Sequence, residues 1–124
     1  MPELNRLVLN GAADAPILAF TRKRSVEAED LDKLFSTLSN GGSDRVQSTI
    51  QADHDGQMWS VVLGIGQACC IIDAQARTVT LYLDRVKWAE CLDVLRAFDY
   101  EPNTYVWLNE DTELSLLLSY DGGW

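Results

Sequence analysis

Cations are scarce in this chain. Its 124 residues hold 10 Lys plus Arg against 19 Asp plus Glu, a net charge of -9. Such a balance disfavours generic binding to nucleic-acid backbones or anionic membranes, and makes a basic partner the natural complement. Histidine is scarcer still, with His54 alone. Cysteine occurs at Cys69, Cys70 and Cys91. One His and three Cys in that arrangement match no zinc pattern, so no metal is expected. An odd cysteine count, with two of the three adjacent and pointing to opposite faces of a strand, excludes a disulfide framework. The expectation is buried or half-buried thiols in a reducing cytoplasm. Long apolar runs are also missing: 59–65 and 68–72 fall far short of the roughly 20 residues that cross a bilayer. Residues 1–16 show no export signal. The pair Gly64 and Gly66 lacks the third glycine and following helix of a dinucleotide loop, so it reads as a kink or bulge in a sheet, and no cofactor is expected.

What is present is ordinary globular material, 47% hydrophobic and 23% charged, in a length that suits a single domain spanning 1–124. Residues 6–10 and 16–21 are short apolar runs around Gly11 and Asp14 and suggest an opening hairpin. From Ser25 the sequence offers a Ser N-cap and acids in the first turn. Leu31, Leu34, Phe35 and Leu38 follow at helical spacing, with Gly41 as the stop. Val46, Ser48, Ile50 and Ala52 alternate with polar residues, which predicts a half-buried strand, and 53–56 reads as a turn. The apolar runs 58–63, 67–72 and 78–83 extend this into an antiparallel meander. Over 85–98, Trp88, Cys91, Leu92, Leu95 and Phe98 form one stripe of an amphipathic helix. A closing hairpin spans 104–108 and 113–120. The predicted class is α+β: a mostly antiparallel meander sheet with two amphipathic helices packed on one face.

Few residues suggest chemistry. His54 lies between Asp53 and Asp55, but neighbours in a tight turn point apart, so no catalytic role is expected and the chain is not read as an enzyme. Acids gather in two places. Glu27, Glu29, Asp30 and Asp32 suit the start of a helix, where carboxylates complement the dipole. Glu110, Asp111, Glu113 and Asp121 flank the closing hairpin beside Tyr105, Trp107, Tyr120 and Trp124. Aromatics rimmed by carboxylates form the candidate binding site for a basic protein partner. The competing reading is plain cross-strand packing of Tyr and Trp.

The stretch VKWAECLDVLRAFDYEPNTYVWLNED places an amphipathic helix before a Pro-containing turn and a strand in which tryptophan precedes acids. It resembles the end of immunity proteins of bacterial polymorphic toxins, closest to the family that neutralises nucleic-acid deaminase and related toxins. Trp107, Glu110 and Asp111 would match that family's closing Trp-x-x-acid segment, although this chain continues through another strand to Trp124. The resemblance implies a cytoplasmic immunity protein of interbacterial competition. It would bind a cognate, basic toxin domain and occlude its active-site cleft, with no catalytic residues and no cofactor of its own. A phage-type inhibitor of a nucleic-acid-targeting defence complex would share these traits. A small acidic secretion or assembly chaperone would instead show a large apolar patch or an unpaired strand edge. No nucleic-acid or membrane partner is expected, and monomer and dimer both remain open.

Overall fold

The structure, a computed structural model, describes residues 5–8, 16–53, 56–109 and 114–120. In chain order it has β1 (Asn5–Val8), β2 (Ile17–Thr21), α1 (Glu29–Asn40), β3 (Arg45–Gln51), β4 (Met58–Ile65), β5 (Cys69–Asp73), β6 (Thr78–Leu83), α2 (Arg85–Ala97), β7 (Tyr105–Asn109) and β8 (Ser115–Ser119). The class is the α+β arrangement expected, mostly antiparallel with two helices. The strands divide between two four-stranded sheets, ordered β1-β2-β8-β7 and β3-β4-β6-β5. A bridge between Leu7 and Ala52 links them, with Asp53 N donating to Leu7 O at 2.9 Å.

Neither sheet is a meander in sequence order. In the first, β8 inserts between β2 and β7 and runs parallel to β2. In the second, β5 lies outermost and the chain turns back through 74–77 to place β6 between β4 and β5, so that β4 and β6 are parallel. Burial explains the exchange. Val79, Leu81 and Leu83 of β6 alternate cleanly into the core, whereas β5 is exposed at four of its five residues. The strand with the stronger inward stripe takes the inner position, where both of its edges are paired.

Gly64 is neither a kink nor a bulge, since β4 keeps regular register with β3 and β6 through it. Its missing side chain admits the Tyr82 ring: a Cβ there would stand 2.7 Å from Tyr82 Cδ1 and 3.2 Å from Asp44 O. Trp88 Nε1 donates to Gly64 O at 2.8 Å from the opposite side.

The first helix starts differently from the expectation. Residues Ser25–Ala28 form a 3-10 turn before α1, and no side chain caps either start. Glu27 instead folds back to accept from Lys23 N at 2.8 Å, satisfying the preceding strand end rather than the helix. Gly41 stops α1 as expected, in the left-handed region at φ 76 with its N–H on Thr37 O. Asp84 caps α2 by accepting from Lys87 N at 2.8 Å, the usual role of Asp at that position. Trp88, Cys91, Leu92 and Leu95 are buried, and Phe98, just past the helix end, packs on the same core. That core joins both helices and the inward faces of both sheets.

Leu95 is 3% exposed at the centre of the α2 stripe. Leu95→Ala is expected to lower unfolding free energy by about 2–4 kcal/mol, from lost transfer plus the cavity left behind. Urea denaturation followed by tryptophan fluorescence measures this, and an unchanged midpoint would place the stripe outside the core.

Candidate functional site

The closing hairpin builds a surface from alternation. On β7, Val106 and Leu108 turn toward the main core while Tyr105 and Trp107 turn to the other side, opposite Ser119 and Leu117 of β8. The two rings meet edge to face, centroids 6.5 Å apart, a favoured aromatic geometry. Tyr105 is 52% exposed, whereas Trp107 is half-buried. On the Trp107 side of the sheet, Ala19 and Leu117 are fully buried although they lie outside the main core cluster. Trp107, in register with Leu117, therefore combines packing with partial exposure. Tyr105 is the ring available for contact. Tyr120 is half-buried, its N–H donating to Thr104 O at 3.0 Å. The sequence-predicted site thus brings Tyr105 and Trp107 together. Glu110, Asp111, Glu113, Asp121 and Trp124 lie outside the described residues, as does His54.

The acids at the start of α1 are largely committed locally. Asp30 faces Arg22 at 2.7 Å, and Arg22 is a buried cation that also donates to Asn5 Oδ1 at 2.9 Å and to Thr21 O at 3.0 Å. Asp32 accepts both arms of Arg96, at 2.8 and 3.1 Å. That hydrogen bonding holds the Asp32 carboxyl below its ordinary pKa. Glu27 is lowered chiefly by the Lys23 backbone N–H, with Arg24 adding to it. This cluster staples α1 to the end of α2 and to β2, so its charge is spent inside the chain.

Between those same elements lies an open cleft of about 830 Å³, lined by Lys23, Arg24, Lys33, Arg96, Phe98 and Tyr100 together with Glu29, Asp32 and Asp99. The phenol of Tyr100 is pushed above its ordinary pKa, mainly by burial. This concavity is mixed in sign and is not an acidic bowl for a basic partner. Nothing in the sequence signalled it, because residues 23–33 and 95–100 are brought together only by the packing of α1 on α2.

The cysteines differ from the expectation at one position: Cys91 is buried and Cys70 half-buried, but Cys69 is exposed. Beside it on β5, Ile71 is 59% and Ile72 40% exposed. This is an outer strand without Pro or Lys, the two residues that usually blunt a sheet edge. Among the described residues no three His, Cys, Asp or Glu converge as metal ligands, and no helix is long and apolar enough to cross a membrane. Comparisons with protein-family models, curated proteins and solved structures give no match to the chain.

Proposed function

We propose that the protein acts by binding another protein, as an immunity protein that occupies the active-site cleft of a basic, nucleic-acid-directed or nucleotide-directed toxin domain in the cytoplasm. The observation that carries this reading is the Tyr105–Trp107 pair on the outer strand β7, directly preceding the acids at 110–113 in a chain of net charge -9. A half-exposed ring on a strand that leads in sequence into acids suits a hot spot: the ring would supply buried area and the acids would steer a cationic partner into place. The resemblance of 86–111 to immunity proteins points the same way. Against a toxin domain encoded beside this chain, a stoichiometric complex and loss of toxin activity are expected. Tyr105→Ala should weaken that complex by about 30-fold, as removal of a hot-spot ring does. Glu110→Lys with Asp111→Lys should slow association and reduce its salt dependence. Full toxin activity at excess of the wild-type chain would overturn the reading.

The exposed edge of β5 favours a second reading. A strand bearing Ile71 and Ile72 that stands outermost in its sheet among the described residues suits strand addition by an extended segment, which is how a secretion or assembly chaperone would hold its client. Such a client would protect the β5 amides from hydrogen exchange, whereas a toxin held on the closing hairpin would protect those of β7.

A further inference from the structure

We propose that the outward face of the β3-β4-β6-β5 sheet is where the chain binds a second copy of itself, independently of the toxin reading. The inward face of this sheet is covered: Trp59, Val61, Leu63, Val79 and Leu81 share one core with Phe35 of α1 and Trp88 of α2. On the outward face the register aligns Gln47, Val62, Thr80 and Ile71 in a row across all four strands. Met58 and Ile71 on that face are 55% and 59% exposed.

Its charge singles it out. Apart from Arg45 and Asp73, every outward position on the four strands is uncharged. The whole net charge of -9 is therefore carried elsewhere. A sheet face can simply be solvated, but here it is a face on which two acidic copies can approach with no excess of like charge in the contact itself.

The two charges are also placed to match each other. Arg45 stands at one end of the outer strand β3, and Asp73 at the opposite end of the outer strand β5. Three interstrand steps and four residues of strand separate them, roughly 20 Å along the diagonal. The midpoint of that diagonal falls between Val62 and Thr80. A two-fold axis lying in the face, through this midpoint and across the diagonal, puts each Arg45 over the other copy's Asp73, with the uncharged row at the centre. This is the self-complementarity that an isologous interface requires. Four strands by seven residues cover about 450 Å² per copy, below the standard interface, so the dimer is weak and reversible, with dissociation in the micromolar to millimolar range.

Sedimentation equilibrium of the full chain from about 10 µM to 1 mM should show a monomer–dimer equilibrium. Because the two-fold counts each substitution twice, Arg45→Asp and Asp73→Arg should each weaken it by about tenfold or more, and the double variant should restore it. Asp73→Arg makes the chain two charges less negative, so net repulsion alone would strengthen association. It also removes the acceptor for Gln75 N and Ala76 N in the β5–β6 turn, so restoration by the double variant is what assigns the weakening to the local pair. Ile71→Lys, at an exposed position, should abolish the dimer while leaving the melting curve intact. A wild-type chain that stays monomeric throughout the range leaves the face to another partner and overturns the proposal. So does a dimer indifferent to Arg45→Asp, which would point to pairing along the β5 edge instead.

Discussion

Trp88→Ala is expected to cost about 3–5 kcal/mol of stability, the range for truncating a large buried aromatic. The ring is fully buried and stacks on Phe35 at 5.9 Å, and Phe35 in turn meets Phe20 edge to face at 6.2 Å. Its Nε1 is held by Gly64 O. One side chain therefore ties α2 to α1 and both to β4, and its loss would leave a cavity at the junction of three elements. Against the 5–15 kcal/mol that small domains possess, that is a large fraction. Trp88→Phe keeps most of the apolar volume and should cost about 1–3 kcal/mol, mainly from the unsatisfied Gly64 carbonyl. Urea denaturation of the two variants separates packing from hydrogen bonding. Equal losses would mean that the hydrogen bond carries the effect.

Cys91 should resist alkylation in the native chain by about three orders of magnitude relative to an unperturbed thiol. Burial, with a smaller contribution from the charge of Glu90, pushes its pKa up to about 12, and its Sγ lies 3.4 Å from Leu108 O. The sign follows directly: a raised thiol pKa keeps the group protonated and non-nucleophilic at pH 8, where an ordinary thiol is partly thiolate. Iodoacetamide labelling followed by peptide mapping should find Cys69 modified first and Cys91 last, with the difference erased in urea. Comparable native rates would contradict the burial of the α2 stripe.

Local patterns in the sequence identified most elements, because each strand and helix carries its own periodicity. The α2 stripe, the Gly41 stop and the alternation of β3 are properties of a few consecutive residues and were legible. Strand order was not. The runs 67–72 and 78–83 are similarly apolar, and only their competition for the inner position sends β5 to the edge. The division into two sheets was hidden for the same reason, since it depends on pairing between distant strands. At the candidate site, alternation could place Tyr105 and Trp107 on one side of β7, but not the buried Leu117 beneath that side, which shifts Trp107 partly toward packing. Arg22 gave no signal either. It stands beside Lys23 and Arg24 as one of three consecutive cations, and only the fold selects it for burial against Asp30.

The parallel pairing of β2 with β8 joins Thr21 to Ser119, 98 residues apart in the chain. The strand that completes the centre of this sheet follows the other described strands in chain order, and until it is made β2 and β7 have no common neighbour. Closing so long a loop must come before its contacts can repay the lost chain freedom, which slows folding. During synthesis the β1-β2 hairpin waits with the β2 edge open. For an acidic chain, charge repulsion between waiting copies is then a protection built in before the fold exists.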